Sequence, residues 1–280
     1  MEGWEPGFWG RTPRLRGYAR RGPGPTLLLL HGVLRCAADF RPLIRWLDPE
    51  WNLILLDQRG HGDSERGAGY RVVDYVEDAL AVVDGMGAES LCVYGHSLGA
   101  MVAAAVAAER GVRAVILEDP PFSTMGGRIA GTAWQALFEG MLGVARKGGD
   151  AAELMRGLGA IQIPQPSGET VPLRTVRDPE ALRWSAECLV RVDPGVLEPL
   201  AGGHWLEGWD WENILGRSRA PVVLMQGDVR SGGALTEEDV VTAGRSACGQ
   251  ERVFFEGGGH QLHWTHAAAV GAIVNRLRGI

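Results

Sequence analysis

A chain of 280 residues, 45% of them hydrophobic, can bury a large core within one α/β domain that carries an insertion. The formal net charge of −6 offers no basic footprint for nucleic acid, and no run of like charges forms a tail. The expected partner is a small, uncharged molecule, and Lys147, the only lysine, is a poor Schiff-base candidate in its polar Arg-Lys-Gly-Gly stretch.

Cys36, Cys92, Cys188 and Cys248 lack metal-ligand spacing and read as buried thiols. The opening Met1-Glu2-Gly3-Trp4-Glu5-Pro6 is polar, and the apolar run Thr26 to Leu30 is too short to span a membrane or direct export. The chain is therefore expected in the cytoplasm, with reduced thiols and no membrane association.

The first two dozen residues, rich in Gly, Pro and Arg, offer no more than an edge strand or two around Leu15 to Arg20. Thr26-Leu27-Leu28-Leu29-Leu30 reads as a strand buried on both faces of a parallel sheet. It ends in His31-Gly32-Val33, where His31 is expected to be structural and the Val33 amide is available to an oxyanion. Residues 38 to 47 read as a short helix and Trp51 to Asp57 as the next buried strand. The polar turn Asp57-Gln58-Arg59-Gly60-His61-Gly62-Asp63-Ser64 reads as a structural loop, with Asp57 and Arg59 satisfying backbone and each other. A helix is expected over Val72 to Val83.

Leu91 to His96 is then a β-favouring run that enters Gly95-His96-Ser97-Leu98-Gly99, and Met101 to Arg110 follows with neither Pro nor Gly. Strand, sharp turn and helix hold Ser97 at the tip, with the Leu98 amide and the positive helix end close enough to stabilise an oxyanion. Val112 to Leu117 is a further strand, closed by Glu118-Asp119-Pro120-Pro121. From about Phe122 to Glu207 the alternation lapses into helices (129 to 146, 150 to 157, 179 to 190) and a proline-containing loop, Ile161 to Thr175. Strands resume at Pro221 to Asp228 and Glu251 to Glu256 around a helix at 236 to 246. The loop Gly257-Gly258-Gly259 presents His260. His260, His263 and His266 do not read as a metal site, because no carboxylate or cysteine joins them and His263 and His266 fall where a terminal helix begins. The alternation of strand and helix argues for a parallel sheet with helices on both faces.

His31-Gly32, the Asp57 to Ser64 turn, Gly95-His96-Ser97-Leu98-Gly99 and Gly259-His260 occur in an order and spacing that resemble the α/β-hydrolase superfamily, over roughly residues 15 to 120 and 212 to 280. The resemblance implies a mostly parallel eight-stranded sheet with a core of 1–120 and 212–280 and a helical cap inserted at 121–211. It also implies Ser97 as nucleophile, His260 as general base, an oxyanion hole from the Val33 and Leu98 amides, and no metal or other cofactor. Haloalkane dehalogenases and epoxide hydrolases carry aspartate at the nucleophile, where this chain has Ser97.

The acid that orients His260 departs from the commonest pattern of that family, because Arg230 occupies its usual place, three positions beyond Gly227. Asp119, at the end of the preceding strand, is the first candidate, Asp228 the alternative, and Glu118 should point away by strand alternation. The dense aromatic set of the cap, with Trp134, Phe138, Trp184 and Trp209 as candidate substrate contacts, suggests a hydrophobic pocket. The expected activity is hydrolysis of an ester or lactone of a hydrophobic small molecule through an acyl-enzyme. A carbon–carbon bond hydrolase of ring-cleavage products, a cofactor-free lyase or peroxidase, and a receptor without turnover are the competing readings. Substrate profiling, the absence of an acyl-enzyme, and stoichiometric binding would respectively distinguish them. The sequence leaves the oligomeric state undetermined.

Overall fold

The computed structural model describes residues 3–10, 12–165, 167–246 and 249–279. Eight strands form one sheet: β1 (Glu5–Trp9), β2 (Leu15–Arg20), β3 (Thr26–Leu30), β4 (Asn52–Leu56), β5 (Leu91–His96), β6 (Ala114–Glu118), β9 (Val222–Gly227) and β10 (Gln250–Phe255). A separate two-stranded ribbon pairs β7 (Gln162–Pro164) with β8 (Thr170–Pro172). The order in the large sheet is β1-β2-β4-β3-β5-β6-β9-β10. Pairing is antiparallel from β1 through β2 to β4 and parallel everywhere else.

The central strands are buried along their whole length, so their sequences are continuous apolar runs rather than alternating ones. Alternate residues nevertheless feed two cores. Leu28, Leu30, Val93, Val115 and Leu117 pack on one face, and Leu27, Leu29, Cys92, Tyr94 and Ile116 on the other. Each leucine so buried contributes about 1.5–3 kcal/mol relative to exposure. The helix Leu98–Glu109 is wedged against the sheet so closely that its first ten residues are all buried, which explains its alanine-rich composition: bulkier side chains would hold it away. No described helix is long and apolar enough to cross a membrane.

Several local expectations are corrected. Residues 38 to 47 do not form one helix but a 3-10 turn at Ala37–Phe40 and a single α-helical turn at Arg41–Ile44. The expected loop Ile161 to Thr175 contains the β7–β8 ribbon, closed by Gln165 N–H donating to the Glu169 carbonyl at 2.8 Å with Gly168 at φ 87°. Two of the loop's prolines, Pro164 and Pro172, end the strands of this two-stranded ribbon, where a missing N–H costs little; Pro166 lies outside the described residues. Arg59 does not pair with Asp57. It forms a bidentate ion pair with Asp78 at 2.5 and 2.7 Å, and Asp57 accepts from the Ala37 and Asp63 amides instead. Cys36, Cys92 and Cys188 are buried free thiols; Cys248 lies outside the described residues.

Beyond Pro121 the chain leaves the sheet for helices at Ala133–Lys147, Ala151–Ala160 and Pro179–Leu189. It returns through a helix at Trp211–Arg217 that leads to β9. The chemistry-bearing segments after β3, β5, β6 and β10 all lie at the carboxyl ends of parallel strands, the edge along which open α/β sheets bind ligands.

Candidate active site

Ser97 links β5 directly to its helix. At φ 53° and ψ −114° it occupies a conformation L-residues rarely adopt, and the strain is sustained by close packing on both sides. A Cβ added at Gly95 would lie 2.0 Å from the Gly99 carbonyl oxygen, and one at Gly99 would lie 2.0 Å from that of Leu30. Only glycine fits either place. The Ser97 N–H donates to the Glu118 carbonyl at 2.9 Å, and its own carbonyl accepts from Ala100 and Met101 at 3.0 and 3.2 Å.

The loop after β3 passes beside this turn: a Cβ on Gly32 would lie 3.3 Å from that of Ser97. Two histidines fix the loop. His31 accepts from the Gln58 amide at 2.9 Å through Nε2, and His61 accepts from the Leu34 amide at 3.0 Å through Nε2. Burial pushes both imidazoles below their ordinary pKa, His61 to about 3, so both serve as neutral structural groups. Among the described residues the N–H groups of Val33 and Leu98 donate to no protein acceptor.

His260 lies after β10 with Nδ1 2.6 Å from Asp119 Oδ2. Asp119 is fully buried and sits at φ 46°. Its Oδ2 also accepts from the Ala234 amide at 2.7 Å, and Oδ1 accepts from those of Gly227 and Leu235 at 3.1 and 3.2 Å. Asp228 does not face His260. Arg230 binds it through Nε and Nη2 at 3.1 and 2.9 Å, and the Arg230 and Gly257 amides add to this. The Arg230 guanidinium holds the Asp228 carboxyl down to about 2. Glu118 points to the opposite face, where it accepts from the Tyr94 hydroxyl and from His263.

His263 was not visible as a functional residue in the sequence. Its ring lies between Glu118, 2.9 Å from Nδ1, and Asp39, 3.1 Å from Nε2. Burial opposes its charge, but the two carboxylates outweigh burial and lift it to about 9. Asp39 is held well below the usual carboxylate range: burial would raise it, but Arg35 and His263 prevail. Asp39, His96 and His263 have ligand atoms grouped closely enough for a metal. An imidazolium that donates from both nitrogens has no lone pair to offer one. His96 is neutral, burial taking it to about 3, and its Nε2 donates to the His260 carbonyl at 2.8 Å.

Ser97 and His260 line one cavity of about 500 Å³, a volume that suits a small molecule. Trp134 and Phe138 form part of its wall, and the Trp134 ring meets His260 edge-on with centroids 6.0 Å apart. Trp184 and Trp209 do not line it. The Trp184 indole turns away to donate to Asp39 at 2.7 Å, and Trp209 is buried in the packing of the core. Trp205, Arg35 and Arg177 also line the cavity, so its wall is not hydrophobic throughout.

A family model described as alpha/beta hydrolase fold matches residues 25–267. The chain belongs to this family. Over 90 residues it is 36% identical to 2-(acetamidomethylene)succinate hydrolase of Mesorhizobium japonicum, a match covering 32% of each chain. The similarity to such curated relatives thus spans about a third of their length. Among solved structures, E-2-(acetamidomethylene)succinate hydrolase superposes with a TM-score of 0.75 at 20% identity, covering 99% of this chain and all of the other. The enol-lactonase of Burkholderia xenovorans LB400 gives 0.73 at 17% identity, covering 98% of this chain and all of the other. At these identities the structures speak for the fold.

Proposed function

We propose that the protein is a serine hydrolase that cleaves an ester or lactone of a small molecule with a hydrophobic body through an acyl-enzyme. The observation that carries this reading is the 2.6 Å bond from His260 Nδ1 to the buried Asp119, on a histidine that shares its cavity with the strained Ser97. With Nδ1–H donated to Asp119, Nε2 is left as the base. It takes the Ser97 proton as Oγ attacks the carbonyl carbon, and the amides of Val33 and Leu98 receive the charge that develops on oxygen. His260 returns the proton to the departing alkoxide. Water, deprotonated in turn by His260, then releases the acid and restores Ser97.

In this reading residues 1–120 and 212–280 are the catalytic core and 121–211 a cap that closes the apolar side of the pocket through Trp134 and Phe138. The test is a panel of chromogenic esters, lactones and ring-cleavage products run on the wild type and on Ser97→Ala. Ester or lactone turnover that disappears with Ser97 is the expected outcome. Turnover confined to the ring-cleavage products would transfer the protein to carbon–carbon bond hydrolysis.

A further inference from the structure

The cavity wall carries two arginines that make no ion pair within 4.0 Å among the described residues, although Arg35 lies close enough to Asp39 to help hold its carboxyl down. Arg35 lies two residues past Val33 and is almost fully buried, 7% exposed. Its Nη1 donates to Ser185 at 3.1 Å. With the Gln261 amide oriented to satisfy both groups, Nη2 and Nε donate to the Gln261 oxygen at 3.0 and 3.2 Å. Three of the five guanidinium N–H groups are thus engaged, all by neutral acceptors. Arg177, in the segment before the Pro179–Leu189 helix, has no side-chain hydrogen bond and no carboxylate within 4.0 Å among the described residues. Most other described arginines reach an acidic partner, as the Arg59–Asp78 pair illustrates.

The nearby acids are already engaged. Asp39 accepts from His263 and from the indoles of Trp184 and Trp264. Asp178 also lines the cavity, but it is exposed and turns Oδ1 to the Ala181 amide at 2.9 Å, capping the following helix. Burial, together with the like charge of Arg35, lowers Arg177 only to about 10, so it remains a cation at neutral pH. Two cations on the wall of a largely apolar pocket are costly to keep without an anion. A planar guanidinium fork is also the side-chain geometry best matched to a carboxylate.

We propose that Arg35 and Arg177 together bind a carboxylate of the substrate, so that the enzyme acts on an ester or lactone that bears a free carboxylate in addition to its scissile acyl group. The apolar wall holds the carbon chain between them. Arg35 donates to Gln261, the residue next to His260, so an occupied carboxylate site and the catalytic histidine share one frame. The kinetic half of this inference rests on the hydrolase reading above, whereas its binding half does not.

The kinetic test compares two esters of equal chain length, the p-nitrophenyl monoester of adipic acid and p-nitrophenyl hexanoate. The wild type should favour the anionic ester in kcat/KM by on the order of ten- to a hundred-fold, the range of a hydrogen bond to a charged group. In Arg177→Gln this ratio should fall towards one, and Arg177→Lys, which keeps the charge but not the fork, should retain part of it. The binding test uses calorimetry on Ser97→Ala with monomethyl adipate and dimethyl adipate. The monoanion should bind at least about ten-fold more tightly, a preference that Arg177→Gln in the same background removes. A wild type that treats the two esters alike, or a Ser97→Ala protein that binds both adipates equally, overturns the carboxylate site and leaves the hydrolase reading standing. Failure to turn over either ester would count against the hydrolase reading, and the adipate binding would still decide the arginine pair.

Discussion

Asp119 reaches His260 with one oxygen at 2.6 Å while three backbone N–H groups hold the carboxylate itself. The acid is thus anchored by the β9 terminus and the segment that follows it, and the imidazole can keep only one tautomer. Asp119→Asn should lower kcat by about ten-thousand-fold, as the corresponding change does in a serine protease. Asp228→Asn should leave catalysis within about three-fold, because its carboxylate is held by Arg230 and by the Arg230 and Gly257 amides rather than by His260. Turnover at matched folding, checked by circular dichroism, separates the two. A collapse in Asp228→Asn with a near-normal Asp119→Asn would assign the role to the other carboxylate.

The second prediction concerns pH and stability. His263 is raised in the folded protein to about 9, above its unfolded value of about 6.5. Its contribution is therefore fully present below pH 6.5 and is lost as pH rises through 9. At about 1.4 kcal/mol per unit, unfolding free energy should fall by on the order of 3 kcal/mol across that window. Urea unfolding at pH 6, 7.5 and 9.5 measures this. His263→Gln should lose about 3–5 kcal/mol at neutral pH, because Glu118 and Asp39 are left buried without their shared cation, and its stability should change much less over the same window. A wild type equally stable at pH 6 and 9.5 contradicts the ion-paired imidazolium.

Trp134 and Trp209 should respond differently to truncation. Trp134→Ala opens the cavity beside His260 and should reorder the preference among acyl chain lengths. Trp209→Ala removes a core side chain and should cost about 3–5 kcal/mol of stability while lowering all substrates together. Identical specificity profiles for wild type and Trp134→Ala would remove that ring from the substrate wall.

Much of the fold was legible because parallel strands write themselves as short apolar runs, and the Gly-x-Ser-x-Gly turn after Leu91 to Tyr94 can close only around small residues. The acid was legible only as a choice, since Asp119 and Asp228 both follow strand ends and just one reaches His260. The sequence did not carry the Glu118–His263–Asp39 triad, whose members come from β6, the terminal segment and the loop after β3. The arginine pair was equally hidden: Arg35 and Arg177 are 142 positions apart in the numbering, and no spacing rule connects the loop after β3 to the segment before the Pro179–Leu189 helix. Trp184 and Trp209 were misplaced because aromatic density shows that a pocket is near but not which rings turn towards it; the Trp184 indole found Asp39 instead.

The steric frame of the elbow is itself testable. Gly99→Ala places a Cβ 2.0 Å from the Leu30 carbonyl oxygen, so the helix must move off β3 and tilt Ser97 with it. Turnover should fall by about a hundred-fold or more, the cost of displacing a nucleophile by roughly 1 Å, with a lowered melting temperature alongside. Wild-type turnover in Gly99→Ala would show that the turn tolerates a side chain and that its geometry is not what aims the serine.

The most direct test of the central claim is mass spectrometry of the protein after reaction with a p-nitrophenyl alkylphosphonate, a serine-directed acylation mimic. The account predicts one phosphonyl group per chain, on the peptide containing Ser97, absent from Ser97→Ala and formed far more slowly in His260→Ala. Labelling that stays the same in Ser97→Ala, together with undiminished ester turnover by that variant, would contradict it.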